Sequence, residues 1–111
     1  DATLDEIIES ARESRDFSED ADGYILNVFK GVFENTEAID AVISDNLIGW
    51  TINRISRVSL AVLRLAIYEI KFMDDIPEAV TIDEAVELCK KYSTNEDASF
   101  VNGVLGSVVR A

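Results

Sequence analysis

Histidine is absent from this chain, and cysteine occurs once, as Cys89. Without histidine there is no commonest general base and no Ser-His or Cys-His nucleophilic pair. Cysteine–histidine metal spacing is excluded as well. A lone cysteine cannot form an intrachain disulfide, which fits a reducing, cytoplasmic setting. Glycine-rich phosphate loops are missing: neither GxGxxG nor GxxxxGKS/T occurs. No apolar run reaches the roughly 18–20 residues that cross a bilayer. The longest, at 58–73, is interrupted by Arg64, Glu69 and Lys71. No signal-peptide pattern is visible. The chain starts at Asp1 rather than at a methionine, so the expectation is a processed, excerpted or truncated protein.

Positive charge is also scarce. Ten Lys and Arg stand against 22 Asp and Glu, a net charge of −12, and the basic residues are scattered. A free-standing nucleic-acid binder clusters its cations to neutralise phosphates. This chain taken alone repels RNA and prefers a basic partner. Carboxylates are so abundant that any pair of them reads as a solvated face rather than as acid–base machinery. The segment DNLIGWTINRI lacks the ligand alternation of a calcium loop. No cofactor or metal is implied.

What is present is helical periodicity, in a chain 48% apolar and therefore able to build one core. Six helices and no strand are expected. The first is TLDEIIESARES, 3–14, with Thr3 and Glu6 as a capping box and Leu4, Ile7, Ile8 and Ala11 on one face. The second spans about 19–34, capped by Ser18, with Ile25, Val28, Phe29, Val32 and Phe33 as its stripe. The third, about 37–47, carries Ile39, Val42, Ile43 and Leu47. After a junction with Gly49 and Trp50, the fourth, about 57–73, is apolar nearly all round, the mark of a helix at the centre of its domain. Pro77 ends that region. The fifth is expected to start at an N-cap Thr81 with Glu84 completing a capping box, and to end at Lys90 and Lys91. The sixth runs over 97–110 with Phe100, Val101, Val104, Leu105 and Val108 buried. Short loops favour antiparallel neighbours.

Particular residues raise sharper questions. SFVNGVLGSVVR, 99–110, holds Asn-Gly, a turn signal, within helical spacing. Each glycine costs a helix about 1 kcal/mol against alanine. The expectation is that Gly103 and Gly106 admit a neighbouring helix backbone, with Asn102 hydrogen-bonding across the contact. Arg54, Arg57 and Arg64 read as partners of nearby carboxylates rather than as a phosphate site. Cys89 falls on an apolar face with Ala85, Leu88 and Tyr92 and reads as a core residue. Tyr92 and Phe100 flank a polar loop, where aromatic rings serve either the core or unpaired bases.

Several stretches together resemble the bacterial transcription antitermination NusB family: RISRVSLAVLRLAIYEI (54–70), DDIPEAVTIDEAVELCKKY (74–92), SFVNGVLGSVVR (99–110) and, upstream, FKGVFENTEAIDAVI (29–43). The resemblance covers about 25–110. It implies an all-α, NusB-like fold of two packed three-helix bundles, here as a single domain over 1–111, truncated so that the family's first helix is absent. It also implies a non-enzymatic factor that pairs with ribosomal protein NusE and binds boxA RNA. The RNA-facing positions it suggests are Tyr92, Glu96, Phe100 and Asn102. Glu96 stands where relatives often carry Asp, and an acid there either accepts from a base amino group or limits affinity. The NusE contact it suggests lies around Ser59, where some relatives have an acid.

The Arg-rich segment that opens the family is missing, so RNA binding by this chain is expected to be weak. An apolar groove along Ile25, Val28 and Phe29 is expected to stay open, inviting disorder or association, a homodimer included. Two other readings compete with the antitermination factor. One is the NusB-like domain of an rRNA cytosine methyltransferase; FVNGVLG and the acidic charge weigh against it. The other is a helical protein-interaction module, which is all that periodicity alone supports.

Overall fold

The computed structural model describes Glu6 and residues 21–49 and 51–110, without the side chains of 21–26 and Phe29. The expected first helix, the Ser18 cap, Trp50 and the side chains of Ile25 and Phe29 lie outside the described residues. Over residues 21–110 five α-helices follow one another: α1 (Ala21–Glu34), α2 (Thr36–Asp45), α3 (Arg57–Phe72), α4 (Glu78–Tyr92) and α5 (Asn95–Arg110). A 3₁₀ turn, Ile52–Arg54, precedes α3. There is no strand among the described residues. Nor is any described helix long and apolar enough to cross a membrane.

The fourth helix of the sequence reading, now α3, touches each of the other four helices. Val58, Val62, Leu63, Leu65, Ala66 and Ile67 are all buried along it. Residues on several sides of one helix can be buried only when neighbours cover every side. Full burial of one large aliphatic side chain is worth about 1.5–3 kcal/mol. Val28 and Val32 of α1, Ile39 and Ile43 of α2, Leu88 of α4 and Leu105 of α5 complete this core. Val28 is fully buried, so the groove expected along α1 is closed at that position.

Two polar side chains of α3 show how charge is tolerated beside this core. Arg64 donates from Nε and Nη2 to the two carboxylate oxygens of Asp40 on α2, at 2.8 and 2.7 Å. The hydrogen bonds to Asp40 raise the guanidinium pKa further, against the opposing effect of burial. A forked pair of this kind fixes orientation as well as charge. Glu69 is buried, and its carboxylate accepts from the Thr81 hydroxyl at 3.3 Å.

Thr81 is therefore no N-cap. Helix α4 begins at Glu78, with Pro77 in the capping position. Proline needs no hydrogen bond to its nitrogen and its φ suits a helix start, so the helix begins there rather than four residues later. The true side-chain caps lie elsewhere. Ser56 accepts from the Ser59 N–H at 3.1 Å, and Thr94 accepts from the Asp97 N–H at 3.0 Å. The second of these lets α5 begin at Asn95, ahead of the expected 97. At the other joints, Asn35 donates to the Gly31 carbonyl at 2.8 Å and Asn46 to the Val42 carbonyl at 2.8 Å, closing the ends of α1 and α2. Ser107 donates to Asn46 at 2.6 Å and ties α5 to the end of α2.

The stretch 99–110 is helical as expected, but its glycines do not admit a neighbouring backbone. A Cβ on Gly103 would meet open space, and one on Gly106 would meet only the guanidinium of Arg110 on the same helix. Asn102 is exposed. The tight approach occurs at Gly31 on α1, where a Cβ would overlap the Tyr68 ring. Tyr68 is itself stacked on Phe72, with ring centroids 5.2 Å apart. Opposite signs follow for one substitution at two sites. Gly103→Ala should raise stability by about 1 kcal/mol, the ordinary helix-propensity difference. Gly31→Ala should lower it by about 1–2 kcal/mol, because Tyr68 must leave its stack. Urea denaturation of the two variants checks both.

Candidate nucleic-acid interface

The end of α4 and the start of α5 are joined by Ser93 and Thr94 alone. This junction is fastened by Asp97, whose Oδ2 accepts from the Ser93 hydroxyl and, at 3.0 Å, from the Ser56 hydroxyl. Ser56 lies 41 residues away in sequence and caps α3. One carboxylate thus joins the starts of α3 and α5.

Beside it lies a cleft of about 340 Å³ lined by Arg54, Ile55, Ser56, Glu96, Asp97 and Phe100. Phe100 is half-buried against the core, and Glu96 and Arg54 are exposed. An aromatic ring, a guanidinium, carboxylates and a hydroxyl therefore meet at one depression. A ring can stack on a base, the cation can meet a phosphate, and a carboxylate can accept from an exocyclic amine.

The structure brings together two of the four RNA-facing candidates, Glu96 and Phe100. Tyr92, at the end of α4, is not in the cleft; it is half-buried against the core, with Lys91 Nζ 5.1 Å from its ring centroid. Asn102 is on another face of α5 and lines a polar groove of about 560 Å³ against α4 with Asp83, Glu87 and Lys90. Ser59, the suggested partner contact, is fully buried and has no conventional hydrogen-bond partner for its hydroxyl among the described residues. It faces the interior because it shares a helix face with the buried Val62, Leu63 and Ala66, beside Cys89. Arg54 was weighed from sequence as a structural ion-pair residue and instead lines the cleft. Ser56 and Asp97 were missed altogether. A Ser just before a helix is a recognisable cap, but a contact across 41 residues leaves no mark in local spacing.

Cys89 sits in the core, fully buried, as its spacing suggested. Burial pushes its thiol pKa up to about 12, the nearby Asp97 charge adds to the rise, and the Ser59 hydroxyl opposes it. Such a thiol is not a nucleophile at neutral pH.

These features define the class: an all-helical domain whose chemistry suits binding rather than bond-making. The family model of the NusB family matches residues 1–110. A transcription antitermination protein NusB of Acetivibrio thermocellus is 53% identical over 106 residues, covering 96% of this chain and 73% of that protein. The same protein of Clostridium perfringens is 47% identical over 107 residues, covering 95% of this chain and 79% of its own length. Among solved structures, T. maritima NusB superposes with a TM-score of 0.82 at 35% identity, covering 96% of this chain and 85% of that one. A chain from a crystal structure described as a plectonemic RNA supercoil gives 0.78 at 29% identity, covering 92% of this chain and 75% of that one. The chain belongs to the NusB family, a family of transcription antitermination factors and not of enzymes.

The buried thiol supplies a test of the packing beneath the cleft. A disulfide reagent should label Cys89 slowly in the native protein and at once in denaturant. Because its folded pKa is raised, the protonated thiol contributes stability that is complete below the ordinary value of 9.0 and is lost as pH climbs toward about 12. Cys89→Ala should flatten the fall in stability over that window, read by denaturation at stepped pH.

Proposed function

We propose that this chain works in the cytoplasm as the RNA-contacting half of a heterodimer with ribosomal protein NusE, and that the pair binds the boxA element of nascent ribosomal RNA to promote antitermination. The observation that carries the RNA part is the cleft where Phe100 and Arg54 meet beside Glu96. Single-stranded RNA exposes the base faces and edges that such a group of side chains engages. The solved relative from a crystal described as an RNA supercoil supports the same direction.

The net charge of −12 supports the partner. A basic protein is attracted to this surface and supplies the positive charge that the RNA requires. With Ser59 buried, its exposed neighbour Arg57 and half-exposed Leu60 are the residues of that turn that a partner can reach. A homodimer is the competing assembly, and it would lower the fraction of chain free to take NusE. Tyr92 is assigned a supporting role beneath the α4–α5 junction, and Asn102 a peripheral one.

The experiment is a boxA titration with and without NusE over a salt series. The chain alone should bind weakly, and NusE should tighten binding and steepen its salt dependence. Phe100→Ala should weaken the complex by roughly tenfold or more, the usual cost of one lost base stack. Glu96→Asn should tighten it, because an exposed carboxylate repels phosphate; weaker binding would assign Glu96 to a base amino group instead. Equal affinity for boxA and a scrambled RNA in the presence of NusE would overturn the proposal.

A further inference from the structure

We infer that Asp97 is the positioning residue of the cleft: its carboxylate holds the side that carries Arg54 and Ile55 against the side that carries Glu96 and Phe100. The inference rests on the reading of that cleft as an RNA surface.

The two sides come from distant parts of the chain. Arg54 ends the 3₁₀ turn, Ile55 and Ser56 follow in extended backbone, and α3 begins at Arg57. Glu96 and Phe100 belong to the first turns of α5. Ser56 is the hinge between the turn and α3, and it is engaged twice. Its oxygen accepts from the Ser59 N–H at 3.1 Å while its proton goes to Asp97 Oδ2 at 3.0 Å. The same Oδ2 accepts from Ser93, which fastens the end of α4. Asp97 is in turn fixed by its own N–H, which Thr94 accepts at 3.0 Å. The side chain is half-buried. Its bond to Ser93 is part-buried and so less open to competition from water than its bond to Ser56, which is exposed.

Two demands on Asp97 pull in opposite directions. As a charge next to an RNA cleft it is unfavourable, since it repels phosphate. As an acceptor of two hydroxyl protons it keeps both walls in place, so that ordering the cleft is not a cost deferred until RNA arrives. Both bonds end on one oxygen, and an amide carbonyl has such an oxygen without the charge. The two roles can therefore be separated by Asp97→Asn and Asp97→Ala.

The test measures boxA affinity of the NusE complex for D97N, D97A and F100A, with circular dichroism as a check on folding. Positioning predicts that D97A binds roughly tenfold more weakly, the scale of re-ordering one or two side chains, while D97N binds as well as the unaltered chain or better. A charge effect alone predicts that both variants tighten, and a role confined to stability predicts that neither changes affinity at a temperature where all are folded; either result overturns the inference. The F100A arm separates this from the underlying reading. Unchanged affinity in F100A would overturn the cleft as an RNA surface and this inference with it. Weakened F100A with unchanged D97A would overturn this inference alone. If D97A does not fold, Ser56→Ala removes the donor and keeps the charge; weakened binding supports positioning, and unchanged binding overturns it.

Discussion

The α3 helix is enclosed by four others, and that enclosure constrains the rest of the molecule. A helix in this position has little room for polar groups, and a buried charge it carries must be answered by a neighbour. Asp40 answers Arg64 from α2, and Thr81 answers Glu69 from α4. These answers set which faces the neighbours turn toward α3. Thr81 points inward from the first turns of α4, which began at Glu78. Proline at 77 lets that happen by starting the helix early. Glu69 thus receives its partner from within α4 rather than from a cap.

The candidate interface inherits its geometry from the same helix. The turn that carries Arg54 ends where α3 begins, and Ser56 both caps α3 and bonds to Asp97. Below the junction, Cys89 and Ser59 fill the space between α4 and α3 with small side chains, one of them a thiol held protonated by burial. The surface that would meet RNA is therefore the outer edge of the core rather than an appended loop. This suits a binding site that presents its aromatic ring from a packed helix.

Periodicity in the sequence revealed the five described helices and the central place of α3, because both depend on which faces are apolar, a local property. It misjudged features that depend on distant groups. Thr81 and Glu84 have capping-box spacing, yet buried Glu69 claims Thr81. Gly103 and Gly106 have the spacing of a close helix contact, yet both lack a neighbouring helix backbone against them. Gly31, which does lie against a ring, has no special spacing because the ring belongs to α3. For the site, aromatic residues near a polar loop led to Phe100, and family resemblance led to Glu96. Arg54 could not be placed beside them from sequence, since its position depends on how the junction before α3 folds back toward α5. Ser59 shows the reverse limit. A position suggested by a resemblance turns inward when it shares a helix face with buried Val62, Leu63 and Ala66.

The remaining tension is electrostatic. A chain of net charge −12 has no long-range attraction for RNA, yet a local cleft with a ring and a cation is suited to hold one nucleotide. The two facts are compatible because they act over different lengths. Charges beyond about 8 Å are largely screened at physiological ionic strength, so most of the acidic surface affects encounter more than the contact itself. A basic partner docked on the acidic surface would reverse the sign of the field that an approaching RNA meets. It would leave the stacking and hydrogen-bonding groups of the cleft unchanged. Affinity would then depend on assembly, while the choice of base would remain with this chain. That division of labour would let an acidic helical domain serve an RNA-dependent process with few cations of its own, and it would make the placement of Arg54 and Phe100 in one cleft matter more than the number of cations around them.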